Sequence, residues 1–166
     1  MLGLVNPLVR LRPLTDQDDD AVLALNENNV VKLAPLDQDR LHRLREWADR
    51  ADAIEVDGAF AGFVITFRPG TAYDSENYRW FSEQFGDDFY YLDRIVLDRS
   101  VRRRGVGAAV YDKLEARAKE CGRMALEVNL LPPNPASLSF HNARGYTEVG
   151  KIGDEEHLVT LMVKEL

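Results

Sequence analysis

Residues 89–130 contain the feature that most restricts the fold of this chain. FYYLDRIVLD at 89–98 has the aromatic and β-branched content of a strand, and apolar side chains recur at helical spacing from Gly105 to about Glu120. MALEVNL at 124–130 is a second strand. A strand, a helix and a strand in this order form a β-α-β unit, whose two strands lie parallel in one sheet. The chain is therefore predicted to have an α/β fold.

The segments on either side extend this unit into a single predicted domain, 1–166, with a mixed central sheet. Hydrophobic periodicity and turn residues give the order β-α-α-β-β-β-α-β-α-β-β. The other predicted elements are a strand at 8–13, helices beginning at Thr15 and Asp37, a hairpin over 53–67 with its turn at Asp57-Gly58, a helix over 136–143, and strands near 146–150 and 157–164.

Residues 71–88 have no strand pattern and separate two predicted strands, so we treat them as an insertion. The segment combines carboxylates with aromatic rings, an arrangement that can hold an ammonium group. The interpretation that we favour for part of it is a short helix capped by Ser75. The buried stripe of that helix would consist of Tyr78, Phe81 and Phe85.

Charge and cysteine content exclude several classes of protein. The 166 residues carry a formal net charge of −7, and 45% are hydrophobic. A protein that binds a nucleic-acid backbone needs a broad basic face, so we expect no nucleic-acid partner.

No segment approaches the ~20 apolar residues of a membrane-spanning helix. The single Cys121 cannot form an internal disulfide, and residues 1–14 lack the ordered regions of a signal peptide, so a cytoplasmic location is expected.

The turn RRRGVG at 102–107 predicts an anion-binding site. It follows a strand and opens a helix, so several backbone N–H groups and the positive end of a helix dipole lie together there. One alternative is a basic surface loop. Another is a dinucleotide-binding turn with Glu127 as the acid that binds the ribose, although Val110 stands where the third glycine would be.

The same residues resemble the GCN5-related N-acetyltransferase (GNAT) family. The cofactor loop of this family has the sequence pattern (Arg/Gln)-x-x-Gly-x-(Gly/Ala), and residues 102–107 match that pattern without a gap. In the family this loop is followed by a strand, an Asn and a short helix that ends in Gly-Phe. The corresponding segments of this chain are LEVN, Asn134 and SFHNARGY, in which Tyr146 replaces the Phe. The resemblance covers residues 89–150. It implies a GNAT-like acyl-CoA N-acyltransferase fold whose sheet is splayed between the strands near 89–97 and 124–130.

The resemblance also implies acetyl-CoA as the cofactor, with CoA as the product. Backbone amides of 103–108 would hold the pyrophosphate, and the pantetheine arm would lie beside the strand 93–97, like an added strand. The implied cofactor-binding residues are Ile95, Val96, Leu97, Arg102, Arg103, Arg104, Gly105, Val106, Gly107, Ala108, Asn134, Ser137 and His141. No metal is expected.

Three residues are candidates for the chemistry of acetyl transfer. His141 occupies the position at which the family commonly has a tyrosine that acts as general acid, so we predict that it assists departure of the thiolate. Asp93 and Glu127 are candidates for the general base, with a structural ion pair to Arg94 or another arginine as the alternative. Strict alternation would place Tyr91, Asp93, Ile95 and Leu97 on one face of their strand.

The predicted acceptor is a small cationic amine or a protein N-terminus. In the family, acceptors enter near the first two helices and the strand 89–97. The candidates for binding the acceptor are Asn28, Asn29, Tyr73, Asp74 and Trp80. Families of this kind commonly form homodimers. The alternative functions are a CoA-binding sensor without catalysis and a nicotinamide-dependent oxidoreductase.

Overall fold

The strands of this chain form one seven-stranded sheet in a computed structural model that describes residues 5–29 and 33–166. Residues 1–4 of the predicted domain lie outside the described residues. The strands are β1 (Val9–Pro13), β2 (Arg50–Val56), β3 (Ala59–Phe67), β4 (Tyr90–Leu97), β5 (Arg123–Leu131), β6 (Thr147–Gly153) and β7 (Leu158–Glu165). Their order across the sheet is β1-β2-β3-β4-β5-β7-β6. β4 and β5 are parallel and the other neighbours are antiparallel, which confirms the predicted mixed sheet.

Five helices connect the strands in the described residues: α1 (Asp19–Glu27), α2 (Gln38–Trp47), α3 (Glu76–Phe85), α4 (Val106–Ala118) and α5 (Pro135–Ala143). α3 confirms the helix predicted inside the insertion, and the Ser75 hydroxyl caps it by accepting from the Tyr78 N–H at 3.2 Å. Asp37 caps α2 in the same way, through the Arg40 N–H. No helix in the described part of the chain is long and apolar enough to cross a membrane.

The sheet separates two hydrophobic layers. α4 covers one face, where Val106, Val110 and Leu114 are almost fully buried against the sheet. α1, α2 and α3 cover the other, where Leu41 and Phe81 have no exposed surface. Each such side chain contributes about 1.5–3 kcal/mol through burial. Both faces of β4 are therefore in the core, because helices cover the sheet on both sides of this strand.

A β-bulge in β4 corrects the alternation predicted from the sequence. β3 pairs Ile65 with Arg94 and Thr66 with Leu92, so Asp93 is an extra residue without a ladder partner. Beyond the bulge the side chains change faces. Ile95 packs with Leu92 against the α4 layer, whereas Tyr91 packs in the layer of α1 to α3. The predicted common face of Tyr91, Asp93, Ile95 and Leu97 was wrong for this reason.

Candidate active site

β4 and β5 separate soon after they begin, and the separation opens a cleft. The two strands pair at Tyr90 with Met124 and at Tyr91 with Ala125, and diverge beyond these residues. A cleft of about 1030 Å³ lies between the diverging ends, which confirms the predicted splay. Its walls also include residues of α3, α4, α5 and the β6–β7 hairpin.

The turn before α4 supplies one end of the cleft with backbone donors. Gly105 precedes the helix with φ of 76° and Arg103 has φ of 60°, both in the left-handed region that glycine adopts most readily. The first four N–H groups of an α-helix have no acceptor within it, which here leaves those of 105–108 directed at the turn. Together with the helix dipole, these donors fit a pyrophosphate.

Arg102 connects the predicted cofactor side of the cleft to the predicted acceptor side. Its guanidinium donates to the Leu97 carbonyl at 3.1 Å and to Asn29 Oδ1 at 3.1 Å, and both Arg102 and Asn29 line the cleft. Arg104 instead lies 3.4 Å from Asp57 in the β2–β3 turn. Ile95, Val96 and Leu97 of β4, which the resemblance places beside a pantetheine arm, line the cleft.

α5 brings the remaining predicted cofactor residues to the opposite wall. Asn134 caps the helix by accepting from the Ser137 N–H at 3.4 Å, and Pro135 at its first position suits a helix start. One helical turn after Ser137, His141 projects from the same side of α5. Asn134, Ser137 and His141 therefore line one wall of the cleft together.

His141 is buried and both of its ring nitrogens are engaged. Nδ1 lies 2.7 Å from the Ser137 carbonyl oxygen, which can only accept, so Nδ1 carries the proton. Nε2, 2.6 Å from the hydroxyl of Tyr111, then accepts from that hydroxyl. Burial lowers the pKa of His141 and favours the neutral ring. In this arrangement the imidazole has no N–H directed at the cleft.

The two candidate bases have different surroundings. Asp93 lies 2.7 Å from the Arg94 Nε and accepts from the Tyr73 hydroxyl at 2.5 Å. Arg94 is also buried, and it reaches Asn26 Oδ1 of α1 at 3.0 Å. Asp93 thus has the structural ion pair that was its alternative role.

The side chain of Glu127 lies in the cleft between β4 and β5. Among the described residues it has no lysine, arginine or histidine within ion-pair distance. Its Oε2 accepts from the Tyr91 hydroxyl at 2.7 Å. Burial, then the charge of Asp93, raises the pKa of Glu127 to about 8, although hydrogen bonds from Tyr91 and Asn77 lower it. A carboxylate with such a pKa can accept a proton near neutral pH.

The structure brings only some of the predicted acceptor residues to the cleft. Asn29 and Tyr73 line it. Asn28, at the end of α1, is not among the lining residues. Asp74 is exposed and forms a salt bridge with Arg40, and the Trp80 ring packs on Gly150 of β6. The contact with Arg40 of α2 positions Asp74, and the contact with Gly150 of β6 positions Trp80. Neither contact can be predicted from the local sequence.

Several cleft residues were not identified from the sequence. Tyr91 bonds to Glu127 and Tyr111 bonds to His141, and Asn77 of α3 and Asp154 and His157 of the β6–β7 hairpin line the cleft. Tyr111 lies three residues before the buried Leu114, a helical spacing that could have indicated a buried position. The other contacts join segments that are far apart in the chain.

Comparison with known proteins is consistent with this geometry. A model of the "Acetyltransferase (GNAT) family" matches residues 19–146. Ard1 from Thermoplasma volcanium superimposes with a TM-score of 0.73 at 16% identity, covering 95% of this chain and 97% of that chain. The ribosomal-protein-S18-alanine N-acetyltransferase from Escherichia coli gives 0.67 at 18% identity, covering 95% and 94%.

A third structure, yncA from Salmonella typhimurium with its cofactor acetyl-CoA, gives a TM-score of 0.65 at 16% identity and covers 95% of this chain and 93% of that chain. At these identities the structural likeness concerns the fold. A comparison with curated protein sequences found no match.

Proposed function

Because this chain belongs to the acetyltransferase (GNAT) family, whose members are acetyl-CoA-dependent N-acetyltransferases, we propose that it acetylates a small cationic primary amine in the cleft between β4 and β5. One observation carries the proposal: Glu127 is a carboxylate in that cleft without a basic partner among the described residues. Its environment suits a group that accepts a proton from an ammonium ion.

The residues of the cleft fit acetyl-CoA, which when bound supplies an acetyl group activated as a thioester. The amides at the start of α4 would hold the pyrophosphate, and the β4 residues 95–97 would align the pantetheine arm. Asn134 and Ser137 would complete the wall on the α5 side. These assignments keep the predicted cofactor residues, with Arg102 also holding Asn29 in place.

We assign proton acceptance to Glu127 rather than to Asp93. An amine attacks only after it has lost its ammonium proton, and the ionised Glu127 can take that proton directly or through one water. Asp93 already pairs with Arg94 and accepts a hydrogen bond from Tyr73, so its main effect is electrostatic, on the ionisation of Glu127. Turnover should therefore rise with pH through about 8, the pKa of Glu127.

For His141 the contacts favour a supporting role over the predicted general acid. The neutral ring accepts a hydrogen bond from the Tyr111 hydroxyl, and both residues line the cleft. Burial raises the pKa of Tyr111 above its usual value, so this phenol keeps its proton. The pair can offer a fixed dipole in the cleft without transferring a proton.

The charge of the cleft supports a cationic acceptor. Asp93 and Arg94 neutralise each other, whereas the carboxylates of Glu76, Glu127 and Asp154 lie along the cleft without an ion pair in the described residues. Negative groups around a partly enclosed space attract an ammonium ion before it binds. A peptide N-terminus has the same chemistry, and one structural neighbour is named for the alanine of a ribosomal protein.

The experiment that tests the proposal is an acetylation screen with acetyl-CoA and thiol release as the readout. The amines are spermidine, kanamycin, an alanyl peptide amide, alaninamide and alanine. We expect the first four, which are cationic, to react faster than zwitterionic alanine. Equal rates with alanine would contradict the electrostatic argument, and binding of acetyl-CoA without turnover of any amine would favour the CoA-binding sensor.

A matched pair of variants on α3 tests which carboxylates act. Glu76→Gln removes an exposed charge that lines the cleft, and Glu83→Gln removes an exposed charge on the same helix that does not. Glu76→Gln should raise the KM for the cationic acceptor several-fold at low ionic strength and less at high salt, because screening weakens exposed charges. If both variants change KM equally, the effect is only one of net charge.

A further inference from the structure

Tyr91 reaches Glu127 across the point where the two strands separate. Tyr91 pairs with Ala125 at the end of the β4–β5 ladder, and Glu127 lies two residues further along β5, in the open cleft. The Tyr91 ring has no exposed surface and lies among Tyr73, Tyr78 and Phe81, with ring centroids 5.6–6.3 Å away. Its hydroxyl therefore has a fixed position, 2.7 Å from Glu127 Oε2.

A second donor to Glu127 comes from a different element. Asn77 is in the first turn of α3 and lines the cleft, and its side-chain amide lowers the pKa of Glu127 as a hydrogen-bond donor would. The Ser75 cap fixes where that turn begins. A glutamate has several freely rotating bonds, and ordering it costs side-chain entropy unless fixed partners hold it. The Tyr91 hydroxyl of β4 fixes one oxygen of the Glu127 carboxylate, and Asn77 of α3 brings a second polar side chain to the cleft.

We propose that Tyr91 and Asn77 are positioning residues that hold the Glu127 carboxylate in its ionised, proton-accepting form. The inference rests on the proposed function of Glu127 as the base. Burial disfavours the charged carboxylate in the cleft, and a hydrogen bond from a fixed donor favours it. Without these two donors Glu127 would stay protonated to higher pH, and fewer enzyme molecules would be ready to accept a proton.

Other charged and titratable groups around Glu127 act on it independently of these donors. Asp93 raises the pKa of Glu127 and Arg94 lowers it, both from β4. Tyr73, in the segment before α3, and Tyr111 of α4 also interact with its charge. On β7, the residue paired with Glu127 is the apolar Leu161. All of these remain in a Tyr91→Phe variant, which removes one hydroxyl and keeps the ring.

Tyr90 provides a matched control on the same strand. It is also fully buried, and its hydroxyl donates to a carboxylate, Asp49, at 2.6 Å, but on the opposite side of the sheet. Tyr90→Phe and Tyr91→Phe each remove one buried hydroxyl that is bonded to a carboxylate. Both should lower stability to a similar extent, whereas Tyr91→Phe alone should change the titration of Glu127.

The experiment is an NMR titration of protein labelled with ¹³C at the glutamate side-chain carboxyl. The resonance of Glu127 is identified by its loss in Glu127→Gln. Relative to the wild type, Tyr91→Phe should raise the Glu127 pKa by about one unit, because a hydrogen bond to a charged group is lost, and Tyr90→Phe should leave it unchanged. Asn77→Ala, which changes a half-buried cleft residue, should raise it as well and serves if Tyr91→Phe folds poorly.

The outcomes separate this inference from the proposed function. If neither Tyr91→Phe nor Asn77→Ala moves the Glu127 titration, the two residues do not position it and the inference is wrong. If Glu127→Gln retains full turnover with the best amine of the screen, Glu127 is not the base, and the proposed function fails whatever the titrations show. A raised pKa together with an equal shift in the pH dependence of turnover would support both.

Discussion

At the scale of single residues, the proposed site contains two carboxylates that differ in their partners. Asp93 is neutralised by Arg94, and Glu127 on the neighbouring strand has no such partner among the described residues. The negative charge of Asp93 makes it harder to ionise Glu127. A like charge nearby disfavours the ionised form of a carboxylate that has no cation paired with it.

The prediction at this scale concerns Asp93→Asn. Removing the charge of Asp93 takes away repulsion and leaves Arg94 uncompensated, and both effects lower the pKa of Glu127. The rise of turnover with pH should therefore begin at lower pH than the wild-type value of about 8. Asp74→Asn, which changes an exposed carboxylate paired with Arg40, is the control and should leave the profile in place. An upward shift in Asp93→Asn would contradict this account.

His141 shows how far a motif can predict a residue's role. The position in the sequence motif placed His141 in the cleft, and the structure agrees. The motif could not show that its Nε2 faces Tyr111, thirty residues earlier, because α4 and α5 meet only through tertiary packing. Its predicted role as general acid depended on a free N–H, which local sequence does not specify.

At the scale of elements, Glu115 connects three parts of the fold. This buried residue of α4 accepts from Arg144 at the end of α5 at 2.6 Å and from Lys164 of β7 at 2.8 Å. These cations lower the pKa of Glu115 despite its burial. The cluster fixes α4 and α5, which carry the predicted cofactor residues, relative to the sheet.

We predict that Glu115→Ala lowers the free energy of unfolding by about 3 kcal/mol, because it leaves two partly buried cations without their shared partner. Asp112→Ala is the matched control: Asp112 also pairs with Arg144 from α4, but 73% of its side chain is exposed, so its loss should cost under about 1 kcal/mol. Denaturant titrations at neutral pH measure both. Equal losses would show that burial does not determine the contribution of these ion pairs.

The elements themselves were largely predictable, and the β-bulge was not. The hairpin turn at Asp57-Gly58 and the helix capped by Ser75 follow from local turn and cap chemistry, and the structure contains both. The bulge at Asp93 depends on how β3 and β4 pair. β4 is buried on both faces, so its sequence lacks the polar alternation that would have revealed a change of phase.

At the scale of the whole molecule, the splay of one sheet produces a cleft in which Glu127, the proposed base, opposes folding when it is ionised. The unfolded chain exposes Glu127 to water, where its pKa is near 4.5, whereas the folded pKa is about 8. Between these values the folded state binds more protons than the unfolded state, so stability falls as pH rises through this range. The cost is absent below about pH 4.5 and complete above about pH 8.

Glu127→Gln should therefore be more stable than the wild type at alkaline pH while being less active. The substituted amide cannot ionise and can still accept from Tyr91, so the gain should be near zero at pH 4.5 and reach about 5 kcal/mol by pH 9. Thermal or denaturant unfolding across this range measures it, with Glu83→Gln on the exposed face of α3 as a control that should show no such trend. A gain that did not depend on pH would mean that the ionisation of Glu127 is not what opposes folding. A gain that grows with pH would give the opposite pH trends of stability and activity one physical origin, the desolvation of the carboxylate that we propose as the base.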